Sequence, residues 1–152
     1  MIDAFKKYIA INNLCLKTDK LLLGVSGGID SIVMMHLFRM SGYKIALAHC
    51  NFQLRSKESD NDEAFVQALA ENYQLPIHTI RFNTQEIAAK EGISIQMAAR
   101  DLRYEWFDEL RQTHQYDYIA IAHNKNDLAE TFLLNMVRGT GIKGLTGIKE
   151  KS

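Results

Sequence analysis

Proline, cysteine and net charge are what this sequence has least of. One proline, Pro76, occurs in 152 residues, so no Pro-rich linker divides the chain, and no internal repeat or low-complexity run interrupts it. The two cysteines, Cys15 and Cys50, lie far apart without C-x-x-C spacing. That excludes a disulfide scaffold or a cysteine zinc site and suits a reducing cytoplasm. The five histidines are scattered without ligand spacing. Eighteen basic residues balance eighteen acidic ones, which argues against a broad basic face for nucleic acid. A nucleic-acid substrate gripped by a few arginines, or by another domain, stays open. No apolar run approaches the length of a membrane span, and the amphipathic stretch from Met1 to Ala10 is unlike a signal peptide, so no membrane role is expected. What is present is 47% hydrophobic and 24% charged residues, the balance of one soluble globular domain with a single core. The last residues, Ile148 to Ser152, carry no evident terminal element and read as the end of a fragment.

Strand and helix signals alternate. Helices are expected over residues 3–13, 30–41, 59–73, 84–91, 94–113 and 127–137, with Ser59 as an N-cap and Gly42, Gly92 and Gly139 as stops. Strands are expected over 20–25, 44–49, 77–82 and 118–122. The long helix has Ile95, Ala98, Ala99, Leu102, Trp106 and Leu110 on its apolar side. Alternation of this kind implies an α/β fold: a doubly wound, mainly parallel sheet with helices on both faces. Ligands of such sheets sit beyond the carboxyl ends of the strands, so the loops after Val25, His49 and Ala122 are the candidate site.

The first of those loops is the richest. Leu21-Leu22-Leu23-Gly24-Val25 turns abruptly into Ser26-Gly27-Gly28-Ile29-Asp30-Ser31 and then into a helical pattern. Glycines let backbone N–H groups approach an anion, and a helix N-terminus adds partial positive charge, so this is a phosphate cradle. No lysine follows the glycines, which excludes the G-x-x-x-x-G-K-[ST] loop. The plain alternative is a turn that merely joins a strand to a helix.

Three further segments carry chemistry. In His123-Asn124-Lys125-Asn126-Asp127-Leu128-Ala129-Glu130-Thr131, Asp127 suits a hard cation shared with phosphates, as does Asp30, and His123 is placed to touch a phosphate oxygen. Read alone, the same segment is ordinary helix capping by Asn124 or Asn126. Arg100 and Arg103, at i and i+3, share a helix face that suits phosphoryl charge or a nucleic-acid backbone. The alternative is a solvated face paired with Asp101, Glu105, Asp108 and Glu109. Arg138 to Gly147 packs four glycines into ten residues, either a cationic anion-binding loop or a helix stop with a turn. His36 and His78 read as structural, and Met34, Met35 and Met40 as core filler.

The glycine loop resembles the PP-loop of the N-type ATP pyrophosphatases, which split ATP between the α and β phosphates. Four segments in order, Ser26–Ser31, Ala98–Tyr104, Ala122–Thr131 and Arg138–Gly147, resemble the N-terminal catalytic domain of the tRNA(Ile)-lysidine synthetase family. The resemblance covers most of residues 20–148 and implies a Rossmann-like PP-loop fold over residues 1–152. It implies a cytoplasmic ligase that adenylates C2 of the wobble cytidine in an isoleucine tRNA with a CAU anticodon. An amine of free L-lysine, taken as the ε-amine, then displaces AMP. By the same resemblance, ATP and Mg²⁺ are the cofactors. Ser26, Gly27, Gly28, Ile29, Asp30, Ser31 and Arg55 would contact ATP. Asp30 and Asp127 would hold the metal, and His123, Arg100 and Arg103 would stabilise phosphate charge or the adenylated cytidine. A homodimer is among the assemblies the resemblance allows.

This chain departs from the family pattern in two places. His123-Asn124 and Asn126-Asp127 stand where relatives often carry two histidines and two aspartates. Asn51-Phe52-Gln53-Leu54-Arg55 stands for the usual Asp-His-Gly-Leu-Arg, with only Leu54 and Arg55 matching. The family's C-terminal tRNA-recognition domains have no counterpart within the chain, so it is expected to bind ATP but to bind tRNA poorly. Two rivals stand beside this reading. A tRNA thiolase would need a catalytic cysteine, and Cys50 alone is well placed. A non-catalytic ATP-binding module would bind ATP without cleaving it.

Overall fold

A strand covered on both faces must be apolar at every position, and Leu21, Leu22 and Leu23 are each fully buried. They form the centre of β1 (Lys20–Gly24) in a computed structural model that describes residues 1–124 and 132–138. Around β1 the chain lays down α1 (Ile2–Ile11), α2 (Ile29–Met40), β2 (Lys44–Asn51), α3 (Lys57–Asn72), β3 (Ile77–Arg81), α4 (Thr84–Glu91), α5 (Ile95–His114), β4 (Tyr118–Asn124) and β5 (Phe132–Arg138). The sheet order is β3-β2-β1-β4-β5. β1 to β4 are parallel, and β5 pairs antiparallel with β4 at the edge.

The period of two sorts the strands between two cores. Leu21, Leu23, Val25, Ile45 and Leu47 meet Phe5 and Ile9 of α1, Met34, Met35 and Phe38 of α2, and Val66 and Ala70 of α3. Leu22, Ala46, Ala48 and Ile119 face the other way, against Tyr104, Trp106, Phe107 and Leu110 of α5. This is the doubly wound arrangement that the alternation implies. The sheet order reverses between β1 and β4, which puts the switch-point crevice beyond their carboxyl ends. No helix among the described residues is long and apolar enough to cross a membrane.

Several local expectations need correction. The helix expected over 127–137 is replaced from Phe132 onward by β5, while residues 127–131 lie outside the described residues. A short apolar run fits a buried helix or a strand equally by periodicity, and here the free edge of β4 gives it a partner. Ser59 lies inside α3. The N-cap is Ser56, and the Ser59 hydroxyl instead accepts the Arg55 N–H at 3.2 Å. Met40 and Ile95 are 63% and 41% exposed, so neither fills a core. Met40 is the last residue of α2 and Ile95 the first of α5. The strands β2 and β4 run two residues further than expected, which places His123 within β4 rather than in the loop after it.

Candidate functional site

β1 ends where Gly24 packs under α5: a Cβ there would meet the Phe107 ring at 2.8 Å. Val25 continues the ladder by donating its N–H to the Ala48 carbonyl at 2.9 Å. Then the chain turns. Gly27 takes φ +96°, a conformation L side chains rarely adopt, and a Cβ on it would press on the Asp62 side chain of α3 at 3.3 Å. The loop is braced internally. The Gly28 N–H donates to Ser26 Oγ at 3.2 Å, and the Ser31 hydroxyl donates to the Gly28 carbonyl at 2.9 Å. Gly28 is the N-cap of α2 and offers no side-chain acceptor. The first-turn donors at Ile29, Asp30 and Ser31 therefore have no capping side chain and point to where an anion would lie. Ser31 is buried, while Ser26, Gly28 and Ile29 are exposed and Asp30 is half-buried. Asp30, in the first turn, makes no ion pair or side-chain hydrogen bond among the described residues.

The carboxyl end of β2 forms the wall beside this loop. His49 is 2% exposed, and its Nδ1 lies 2.8 Å from the Val25 carbonyl. Asn51 is equally deep. Its Nδ2 donates to Asp60 at 2.9 Å and to Glu63 at 3.3 Å, and its Oδ1 accepts the Gln53 N–H at 2.9 Å. Arg81 at the end of β3 forks onto Glu63, with Nε to Oε1 at 3.2 Å and the terminal nitrogen to Oε2 at 2.9 Å. These hydrogen bonds hold the Glu63 carboxyl below the usual carboxylate range, against the opposing effect of burial.

α5 supplies the opposite wall. Arg103 lies with its guanidinium 5.3 Å from the Phe52 ring centroid, and Phe52 in turn stacks on Phe82 at 5.8 Å. Arg100 is exposed and lies over Tyr104 of its own helix at 5.0 Å. Neither arginine makes an ion pair among the described residues. Asp108, expected as a partner for them, binds Arg111 at 3.0 Å and Gln112 at 2.8 Å instead. Arg55 projects from the loop after β2, is exposed, and pairs loosely with Glu58 at 3.7 Å.

The structure thus brings Asp30, the glycine loop, Arg103 and the loop carrying Arg55 to one end of the sheet. The backbone of His123 reaches that end in β4, opposite Leu133 of β5. Asp127 and the glycine-rich stretch 139–147 lie outside the described residues. Among the described residues no group of three or more His, Cys, Asp or Glu could hold a metal ion. Magnesium held mainly by substrate phosphates needs only one or two protein carboxylates, so Asp30 in the first turn of α2 would be a fitting donor. Burial pushes the Cys50 thiol up to about 12, with Arg103 a weaker opposing influence, and the Cys15 thiol is pushed up to about 11, mainly by burial. His78 is structural as expected, 2.8 Å from the Tyr116 hydroxyl. A cleft of about 740 Å³ lined by Lys6, Cys15, Lys17 and Tyr43 among others lies at the amino ends of the strands, away from all of this.

Sequence reasoning did not single out His49, Asn51, Asp62 or Glu63 as site residues. The acids of α3 read as ordinary helix-start charges, and a histidine in an apolar strand gives no hint of its partner. The one available signal was position: all four lie within a dozen residues of Asn51, the carboxyl end of β2.

A family model described as a PP-loop domain matches residues 3–152. The chain is 44% identical over 146 residues to a tRNA(Ile)-lysidine synthase from Bacteroides thetaiotaomicron, covering 96% of this chain and 34% of that protein. It is 49% identical over 130 residues to one from Porphyromonas gingivalis, covering 86% of this chain and 29% of that protein. The enzyme of the same name from Parabacteroides distasonis is 42% identical over 152 residues, all of this chain and 35% of its own. The chain therefore spans about a third of the length of these curated relatives. Among solved structures, an NH3-dependent NAD synthetase from Campylobacter jejuni is similar at a TM-score of 0.53 and 15% identity, over 79% of this chain and 51% of its own. At that identity the likeness concerns the fold alone.

Proposed function

This chain belongs to the PP-loop family, and from that premise we propose that it is the ATP-using domain of a tRNA(Ile)-lysidine synthase, a cytoplasmic ligase that forms a carbon–nitrogen bond. The observation that carries the reading is the α2 N-terminus: an N-cap glycine without a capping side chain, at the carboxyl end of the central strand and at the switch point of the sheet. The relatives' name supplies the acceptor, an isoleucine tRNA. Its CAU anticodon and free L-lysine as the amine donor complete the reading. Since the relatives are about three times as long, the elements that grip the tRNA are assigned to the rest of such a protein.

The reaction has two steps. The C2 oxygen of the cytidine attacks the α-phosphorus of ATP, a P–O bond forms, and pyrophosphate leaves from the β side. The lysine amine then adds to C2 and loses a proton as the C–O bond to AMP breaks. Ser26, Gly27, Gly28, Ile29 and Ser31 orient the phosphates through backbone N–H groups and hydroxyls. Arg103, held over Phe52, and Arg100 offer positive charge from the facing wall, and Arg55 offers it from the adjoining loop. Magnesium, when bound, offsets phosphate charge, with Asp30 and Asp127 as the donors this chain would provide. Catalysis of this type rests on positioning and on preorganised charge.

Incorporation of radiolabelled lysine into unmodified CAU isoleucine tRNA, dependent on ATP and Mg²⁺, by the full-length protein containing this chain tests the reading. ATP cleaved to AMP and pyrophosphate without lysine incorporation would move the acceptor elsewhere. A thiolase is disfavoured by Cys50: at neutral pH a buried thiol with its pKa pushed up to about 12 has almost no thiolate. A Cys50→Ala protein is accordingly expected to incorporate lysine at the wild-type rate. Loss of turnover in that variant, with the fold intact, would revive the sulfur-transfer reading.

A further inference from the structure

We propose that His49 is a positioning residue for the glycine loop: by holding the Val25 carbonyl it sets the direction in which the loop leaves β1. Val25 is the last residue before the loop, and both of its backbone polar groups are tied to consecutive residues of β2. Its N–H donates to the Ala48 carbonyl at 2.9 Å, and its carbonyl lies 2.8 Å from His49 Nδ1. A carbonyl can only accept, so Nδ1 carries the proton. The Val25 carbonyl and the Ser26 N–H belong to one planar peptide unit. Fixing the carbonyl therefore fixes the first donor of the loop, one residue before the left-handed turn at Gly27.

Packing alone does not account for a histidine here. The ring is 2% exposed, and its other nitrogen, Nε2, is buried without a hydrogen-bond partner among the described residues. An apolar side chain would fill the same space without burying an unpaired nitrogen, which is unfavourable. What the imidazole adds is the held carbonyl.

The inference rests on the proposed role of the loop in binding ATP, and the experiment separates the two. ATP affinity is measured by calorimetry, with Mg²⁺ present, for the full-length wild-type protein and for Asp30→Ala, His49→Asn and His49→Gln. Asparagine can present a side-chain N–H near the position of Nδ1, whereas glutamine reaches the position of Nε2. Glutamine is the closer match in volume. A role in packing therefore ranks Gln above Asn, and a role in holding the carbonyl ranks Asn above Gln. The expected result is His49→Asn near wild type and His49→Gln weaker by about tenfold. The reverse order, or equal losses, with wild-type ATP binding intact, would overturn the inference and spare the reading of the loop. No ATP binding by the wild type would sink both. Should the variants fail to fold, the long-range ¹H–¹⁵N spectrum of the wild type decides. Proton on Nδ1 and a His49 signal that moves on adding ATP support the role; proton on Nε2, or a signal indifferent to ATP, overturns it.

Discussion

An Asp30→Ala protein is expected to keep its fold and to lose ATP cleavage by on the order of a hundredfold or more. Asp30 stands in the first turn of α2, whose N-cap Gly28 brings no side chain of its own, and its carboxylate has no ion-pair or hydrogen-bond partner among the described residues. Its structural value is then limited to a favourable charge at a helix N-terminus, about 0.3–1 kcal/mol. Its chemical value is larger, because a carboxylate beside a polyphosphate is a donor that the cation can use without leaving the substrate. The loss should appear in pyrophosphate release by the full-length protein with tRNA and lysine present. An Asp30→Asn variant separates charge from shape. It should require more Mg²⁺ for half-maximal rate while its melting temperature stays near that of the wild type. Wild-type turnover in Asp30→Ala would remove Asp30 from the metal site and leave the loop a phosphate cradle alone.

What the sequence revealed of this site follows from how local the physics is. Leu21 to Ser31 announces itself because a strand buried on both faces, a turn and a helix start each leave a signature in adjacent residues. The doubly wound sheet was legible for the same reason, since each strand and each helix carries its own period. Contacts across the sheet leave no such trace. The partner of His49 is a backbone carbonyl 24 residues away. Asp62 faces Gly27 only because α3 packs beside the loop, and Arg103 meets Phe52 only because α5 crosses the face behind β2. Phe132 to Arg138 shows the converse limit. Its apolar run suits a helix as well as a strand, and pairing with β4, which no local pattern encodes, gives it strand geometry.

The largest effect on stability is expected at Glu63, a glutamate that is 8% exposed at the base of the site. Its carboxylate accepts both nitrogens of the Arg81 fork and one hydrogen bond from Asn51. In Glu63→Gln the shape is kept, but the charge is gone, and an amide N–H₂ group must face a guanidinium or Asn51. The cost should be about 1–3 kcal/mol at neutral pH, read as a lower urea midpoint. The dependence on pH gives the stronger test. The Arg81 hydrogen bonds hold the Glu63 carboxyl below its unfolded value, so the stabilisation is complete above the ordinary carboxylate range. It is lost as pH falls through the depressed folded value, where the folded state must take up a proton and the fork onto Arg81 weakens. The gap between wild type and Glu63→Gln should therefore be widest near neutrality and should close in acid. A gap of constant size down to low pH would mean that the variant acts through packing and that the ion pair carries little. Because Asn51 also accepts the Gln53 N–H at 2.9 Å, the same variant should loosen the start of the loop after β2. ATP affinity is then expected to fall along with stability at neutral pH, and the two losses should shrink together as the pH is lowered.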